Sequence, residues 1–167
     1  MDNATFLALA LACAPQVHPD TARAIVTVES GVNTYAIGVV GGTLVRQPRT
    51  RAEALATIKA LQAGGWNYSV GLAQINVGNF ARLGLTADTA LEPCASLVAM
   101  QAVLGECYER ASPGTDAQTT LRRALSCYYS GNFITGVRHG YVGRVVAAAR
   151  ATSPRSTRNS SNQEKAS

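Results

Sequence analysis

The chain has 167 residues, of which 47% are hydrophobic and 15% are charged, and this length suits one domain with a substantial core. Fifteen lysines and arginines against ten acids give a net charge of +5. That charge favours anionic surroundings such as nucleic acid, lipid headgroups or an acidic cell-wall polymer, without selecting among them. The four cysteines form no C-x-x-C pair, so their spacing excludes a zinc ribbon.

Two interpretations fit the number of cysteines. They are either small buried hydrophobic residues or two disulfide bonds in a protein of an oxidising compartment. Four cysteines allow three pairings, and the residues alone leave all three open. The cysteines are Cys13, Cys94, Cys107 and Cys127.

The first apolar run, at residues 6–14, resembles the centre of a signal peptide. However, Asp2 precedes it and no basic residue does, so the basic segment of a signal peptide is missing. Pro15 ends the run too early for a membrane span, which needs about 20 apolar residues. We therefore predict a core helix at residues 3–13, and an export signal would have been removed already or is not used.

The next elements are a helix and a small hairpin. His18-Pro19-Asp20 opens the second helix, which ends at Gly31. Residues 36–40 and 43–45 flank Gly41-Gly42, which predicts a β-hairpin. An amphipathic helix follows at 51–64, and then a polar loop, WNYSVG.

The second half of the chain is predicted to be helical. A short helix is expected at 72–83, and a long, central one at 94–111 because its apolar residues surround most of the axis. Two more are expected at 117–130 and 141–152. The sequence thus predicts one mainly α domain at residues 1–152, followed by a disordered polar tail at residues 153–167.

Glu29 is the first candidate for chemistry. Ala22 and Ile25 precede it at helical spacing, on a face that is otherwise apolar. Partial desolvation raises the pKa of a carboxyl and leaves it protonated near neutral pH, as a general acid requires. Glycosidases use such a group to protonate a leaving glycosidic oxygen. The alternative is a glutamate at a helix end that points to solvent.

Two later stretches carry groups that suit a saccharide. NYSVGLAQIN, at 67–76, sets the amides of Gln74 and Asn76 between apolar residues, and amides suit sugar hydroxyls and N-acetyl groups. Tyr128, Tyr129 and Tyr141 cluster near a glycine, and each combines a flat apolar face with a hydroxyl. The alternatives are a turn before a helix and an aromatic cluster in the core.

In this order the motifs resemble those of the lytic transglycosylases of the goose-type lysozyme-like superfamily. They are Glu29-Ser30 at a helix end, GLAQI at 71–75, YYSG at 128–131 and Tyr141-Val142 in a late helix. The resemblance covers about residues 5–150. Within that superfamily the chain most resembles the peptidoglycan-degrading subunit of type IV secretion and conjugation systems. The added marks are CAP near the start, Pro-Cys at 93–94 and the hairpin. One departure is Tyr129, where many members have Asn. The resemblance implies a lysozyme-like helical fold, which is mainly α with a small β-hairpin after the catalytic helix.

The resemblance implies cleavage of the β-1,4 bond between N-acetylmuramic acid and N-acetylglucosamine. Glu29 would protonate the glycosidic oxygen and then take the proton of the muramyl C6 hydroxyl, which closes a 1,6-anhydro ring. One carboxylate suffices because the substrate supplies the nucleophile, and none of the other nine acids lies in a motif. A hydrolase would need a second carboxylate, for which Asp88 and Glu92 are the candidates.

Residue roles follow from the same resemblance. Ser30 would hydrogen-bond near the reacting sugar, Gln74 and Tyr128 would flank the scissile bond, and Tyr141 would position Glu29. The remaining implied substrate-binding residues are Asn33, Gly71, Leu72, Ile75, Asn76, Tyr129 and Gly131.

A cell-wall enzyme of this kind would work in the periplasm, where disulfides form. The resemblance pairs Cys13 with Cys94, because the CAP and Pro-Cys marks occur together in that group, and leaves Cys107 for Cys127. Peptidoglycan glycan strands are the expected partner, with type IV secretion components as further partners. No cofactor, metal ion, nucleic acid or membrane span is expected.

Three other functions are kept as alternatives. A hydrolytic lysozyme would differ from a transglycosylase only in its product. A non-catalytic module that binds peptidoglycan or nucleic acid would use the basic stretch at 138–158, although no aromatic stripe there supports nucleic acid. A cysteine peptidase would use Cys127 as nucleophile and His139 as base.

Overall fold

The structure is a computed structural model that describes residues 1–152, and the predicted tail lies outside the described residues. Helices make up most of it. A small antiparallel sheet has the order β1-β2-β3. The mainly α fold class is therefore confirmed. The helices are α1 (Asn3–Cys13), α2 (Pro19–Ser30), α3 (Arg51–Ala63), α4 (Phe80–Leu83), α5 (Ala87–Ala90), α6 (Pro93–Ala111), α7 (Ala117–Ser130), α8 (Thr135–Arg138) and α9 (Tyr141–Thr152), and the strands are β1 (Ile37–Val39), β2 (Tyr68–Val70) and β3 (Ile75–Asn76).

Local sequence signals set the ends of the main helices. The Asp2 carboxylate accepts a hydrogen bond from the Thr5 backbone N–H at 2.9 Å and so caps α1. Pro19 occupies the first turn of α2, and Gly31 ends that helix with a φ of +60°. The Asp116 carboxylate caps α7 by accepting hydrogen bonds from the backbone N–H groups of Gln118 and Thr119. The predicted bounds of these helices agree closely with the structure.

The long helix α6 is the centre of the domain. It packs against α1, α5, α7 and β3. Disulfide bonds join it to α1 through Cys13–Cys94 and to α7 through Cys107–Cys127, which is the pairing that the family resemblance implies. None of the helices within residues 1–152 has the length and apolar character needed to cross a bilayer.

The strand that follows α2 has a different partner from the one the sequence suggests. Residues 43–45 were expected to pair with β1 in a hairpin, but β1 pairs with β2, with Gly38 opposite Ser69, and β2 pairs with β3. The other edge of β1 is occupied by the Gln47 side chain, whose Oε1 accepts from the Ile37 N–H and whose Nε2 donates to the Ile37 carbonyl. One amide side chain thus satisfies both backbone groups that a strand at 43–45 would have bonded.

Two further expectations, for residues 66–71 and 72–83, were also wrong. The WNYSVG stretch is not a loop throughout, because it contains β2. The helix expected at 72–83 is instead a turn, β3, a 3₁₀ turn at Val77–Asn79 and the short α4. Gly71 has a φ of +81° and Gln74 a φ of +50°, and these left-handed conformations prevent a helix from starting there.

Candidate active site

Glu29 lies at the end of α2, one residue before its last residue. Ala22 and Ile25, on the same side of the helix, are fully buried, whereas the Glu29 side chain is only partly buried and reaches a groove. The helix therefore carries the carboxyl from the core to an open surface. The alternative of a glutamate that simply points to solvent does not fit this position.

The carboxyl is held by a tyrosine from another helix. The hydroxyl of Tyr141, at the start of α9, donates a hydrogen bond of 2.6 Å to Glu29 Oε1. Helices α2 and α9 pack together, and Tyr141 itself is buried. Burial, with the nearby charge of Glu29, raises the pKa of the Tyr141 hydroxyl, so this group stays protonated and acts as a donor.

Burial also raises the pKa of Glu29 to about 7, from an ordinary value of 4.5. The hydrogen bond from Tyr141 and the positive charge of Arg144 oppose this rise, because both stabilise the ionised carboxylate. A carboxyl with a pKa near 7 can donate a proton and take one back at neutral pH, as an acid–base catalyst must.

The groove in front of Glu29 has a volume of about 440 Å³. Its walls come from the sheet, the turn before β3 and the helices α6 and α7. Six residues predicted from the sequence line it together: Glu29, Gln74, Ile75, Asn76, Tyr128 and Tyr129. Within residues 1–152, Glu29 is the only carboxylate in that lining.

Gln74 is fixed by the strained turn before β3. Its Nε2 donates to the carbonyls of Ala36 and Gly71, at 2.9 and 3.1 Å. Its Oε1 lies so close to Gly38 that a Cβ there would be 2.8 Å from it, so the glycine in β1 leaves the room that this amide occupies. In the described part of the chain no donor bonds Oε1, which leaves it available to a ligand in the groove.

A row of small polar side chains crosses the groove side of the sheet. Asn76 Nδ2 donates to Asn67 Oδ1 at 2.8 Å and contacts Ser69 Oγ at 3.3 Å, while its Oδ1 accepts from the Gly78 N–H. Ser69 and Asn76 both line the groove. Such groups offer donors and acceptors to sugar hydroxyls.

The α7 end of the groove is aromatic. Tyr128 donates to the Ala73 carbonyl at 2.7 Å, and burial, with the nearby Glu29 charge, raises its pKa well above the usual range. Tyr129 is 42% exposed and stacks on Tyr141, with ring centroids 4.7 Å apart. These rings form an apolar wall beside Glu29.

Six predicted site residues do not line the groove: Tyr141, which lies behind Glu29, and five others. Ser30 Oγ donates to the Val26 carbonyl of its own helix, and Asn33 Oδ1 accepts from the Tyr35 N–H. Leu72 is completely buried, Gly71 forms the turn before β3, and Gly131 ends α7. Their positions shape the elements that carry Glu29, Gln74 and Tyr128.

Several residues that line the groove were not predicted as site residues from the sequence. They are Gly38, Val39, Val40, Ser69, Asn79, Val103 and Ser130. The pairing of Gly38 with Ser69, and of Ser69 with the predicted Asn76, would have pointed to two of them, Gly38 and Ser69, had β2 been recognised as a strand.

The rival chemistries lack the groups that they need. Cys127 is bonded to Cys107, so it is not a free thiol, and the cysteine-peptidase interpretation was wrong. Asp88 and Glu92 both form surface ion pairs with Arg51, at 2.8 and 2.6 Å, and neither lines the groove. A second carboxylate beside Glu29, as an ordinary glycosidase uses, is therefore not found within residues 1–152.

The model of the transglycosylase SLT domain family matches residues 6–145. The chain belongs to this family. All the groove residues described above fall inside the matched SLT segment. No solved structure is significantly similar to this SLT chain.

Relatives of this SLT domain carry names from type IV secretion. It is 50% identical over 155 residues to the "Type IV secretion system protein virB1" of Brucella abortus biovar 1, covering 88% of this chain and 65% of that relative. It is 40% identical to "Protein virB1" of Agrobacterium fabrum, covering 90% of this chain and 62% of the relative. The chain therefore spans less than two thirds of the length of these relatives.

Proposed function

We propose that this SLT domain is a peptidoglycan lytic transglycosylase that cleaves the β-1,4 bond between N-acetylmuramic acid and N-acetylglucosamine. The observation that carries the proposal is a single carboxyl, Glu29, with a pKa of about 7, held by Tyr141 at the edge of an open groove. The amide and aromatic lining suits a saccharide chain rather than a charged small molecule.

In the first step Glu29 acts as a general acid. The protonated carboxyl gives its proton to the glycosidic oxygen, and the bond from that oxygen to C1 of the muramyl residue breaks. Positive charge develops on the muramyl ring while Glu29 becomes a carboxylate. The Tyr141 hydroxyl, bonded to Oε1, stabilises that carboxylate and keeps it in place.

In the second step the same carboxylate acts as a base. It takes the proton of the muramyl C6 hydroxyl as that oxygen bonds to C1, which closes a 1,6-anhydro ring and returns Glu29 to its protonated form. No water is consumed. One carboxyl therefore completes the cycle, which agrees with the lack of a second one in the groove lining of residues 1–152.

The lining residues divide the work of holding the glycan. Gln74, through its open Oε1, and Asn76 with Ser69 bind hydroxyl or N-acetyl groups, while Tyr128 and Tyr129 contact apolar sugar faces. The buried side chains of Leu72 and Ile75 support the turn that carries Gln74. The positive φ of Gly71, which has no Cβ, permits that turn close to the Ala90 carbonyl. Ser30, Asn33 and Gly131 act at the ends of α2 and α7, beside the groove.

We place the enzyme in the periplasm, where it opens the cell wall for a type IV secretion apparatus. The relatives named for type IV secretion support the assignment to such a system. The two disulfide bonds fit an oxidising compartment. Peptidoglycan strands are the substrate partner, and secretion components are the protein partners.

The test is digestion of purified murein by three carboxyl variants. Glu29→Gln should lower the rate of glycan cleavage by about 10²- to 10⁴-fold, because a glutamine cannot donate the proton. Asp88→Asn and Glu92→Gln, which remove the candidate second carboxylates, should cleave at close to the wild-type rate. Undiminished cleavage by Glu29→Gln would contradict the proposal, and strand binding without cleavage by the wild type would favour a non-catalytic binding module.

A further inference from the structure

Tyr129 occupies a position from which it can act on Glu29 without touching it. Its ring stacks on the Tyr141 ring at 4.7 Å and an angle of 21°, and Tyr141 is the residue that holds Glu29. On the other side its hydroxyl and His139 Nδ1 share a hydrogen bond of 3.2 Å. Tyr129 thus connects the end of α7 to the start of α9.

Tyr129 contacts the chain on both sides of the turn that leads into α9. His139 follows α8, and its carbonyl accepts a hydrogen bond from Arg144 Nη1 at 3.1 Å. Gly140, with a φ of +75°, then turns the chain into α9. Tyr129 bonds the His139 side chain and covers the Tyr141 ring, so it fixes both residues that flank this turn.

We propose that Tyr129 is a positioning residue for the general acid, which clamps Tyr141 from the groove side and keeps its hydroxyl on the Glu29 carboxyl. The inference rests on the proposed function and deepens it. Tyr141 is 2% exposed while Tyr129 is 42% exposed, so the outer ring shields the inner one from the water of the groove.

The pKa of Glu29 shows whether the Tyr129 ring still shields Tyr141 from water. Two groups shift the pKa of that carboxyl, Tyr141 and Arg144 from α9, while Tyr128 from α7 is itself affected by the Glu29 charge. Burial is the largest cause of the raised Glu29 pKa, and the opposing effects of Tyr141 and Arg144 are smaller. Water admitted beside Tyr141 also solvates the Glu29 carboxyl to which Tyr141 is bonded. We expect this loss of burial to outweigh the weakened Tyr141 hydrogen bond, so the pKa of Glu29 falls.

The experiment compares four tyrosine variants with the wild type. Tyr129→Ala removes the ring, Tyr129→Asn introduces the amide that many members of the resembled superfamily carry, and Tyr129→Phe keeps the ring but loses the bond to His139. Tyr108→Ala is the control, because Tyr108 is 37% exposed on α6 and lines a different cavity. The readouts are kcat and KM for murein cleavage against pH, and the Glu29 pKa from carbon NMR without substrate.

We expect Tyr129→Ala and Tyr129→Asn to lower kcat about tenfold and to shift the basic limb of the kcat/KM profile down by about half to one pH unit. The NMR pKa of Glu29 should fall by the same amount. Tyr129→Phe and Tyr108→Ala should leave the limb and the NMR pKa unchanged.

Two results separate the failure of this inference from the failure of the proposed function. A raised KM with an unchanged limb and an unchanged Glu29 pKa would overturn the inference, because Tyr129 would then serve only as a sugar-stacking surface. Lack of cleavage by the wild type would overturn the proposed function, while the NMR comparison would still decide whether Tyr129 controls the environment of Glu29.

Discussion

At the scale of the residue, the feature that suits Glu29 to catalysis also costs stability. In the unfolded chain a glutamate has its ordinary pKa of 4.5, whereas in the folded protein the pKa is about 7. Between these two values the folded state binds more protons than the unfolded state. Stability contributed by the protonated carboxyl is therefore complete below pH 4.5 and is lost as the pH rises through 7.

A substitution at Glu29 measures this loss of stability at alkaline pH. Glu29→Gln removes the charge but keeps the shape, so it should raise the free energy of unfolding at pH 8 by roughly 2 to 3 kcal/mol relative to the wild type. At pH 4 the same substitution should have little effect. Urea denaturation at both pH values measures the difference, and an equal effect at the two pH values would show that Glu29 is not desolvated.

At the scale of the element, the turn between β2 and β3 determines the shape of the groove. Gly71 adopts a φ of +81°, and a Cβ there would overlap the carbonyl oxygen of Ala90. The Gly71 carbonyl in turn accepts a hydrogen bond from Gln74 Nε2. The glycine therefore has a double role, since it permits the turn and lets the α5 backbone approach.

A matched pair of variants separates these two roles of Gly71. Gly84→Ala, at a φ of +65° with nothing near the new Cβ, should cost about 1 kcal/mol from the backbone alone. Gly71→Ala should cost about 3 kcal/mol, because the contact with Ala90 adds to the same backbone strain. Urea midpoints measure both. Equal losses would mean that the close approach to Ala90 is unimportant.

Elements with local signals were predictable from the sequence, and elements set by distant contacts were not. Helices α2 and α7 carry caps and glycine stops beside their own residues, so their bounds could be predicted. The partner of β1 depends on Gln47, whose side chain competes for the Ile37 backbone groups, and no local pattern reveals that competition. Short runs such as β2, of three residues, also carry too little periodicity to be recognised.

The candidate site follows the same division. The apolar face of its helix made Glu29 a candidate, and the order of the Glu29-Ser30, GLAQI, YYSG and Tyr141-Val142 motifs selected it. Its contact with Tyr141 joins residues 112 positions apart, and only the family resemblance suggested it before the structure was known. Ser69 could not be found from the sequence, because its place beside Asn76 depends on strand register.

At the scale of the whole molecule, the fold of residues 1–152 places one acid in an open groove and keeps the candidate second acids away from it. Two disulfide bonds attach α1 and α7 to the central α6, and α7 carries the aromatic wall. The sheet forms the polar wall. Asp88 and Glu92 are held by Arg51 outside the groove, so the arrangement favours a nucleophile supplied by the substrate itself.

In the proposed reaction the muramyl C6 hydroxyl, and not water, attacks C1 and completes the cleavage. Mass spectrometry of the fragments released from purified murein tests it directly. We expect muramyl ends that are lighter by one water than the hydrolysis product, as a 1,6-anhydro ring requires, and that resist borohydride reduction. Reducing muramic acid ends would contradict it and would identify the protein as a hydrolytic muramidase.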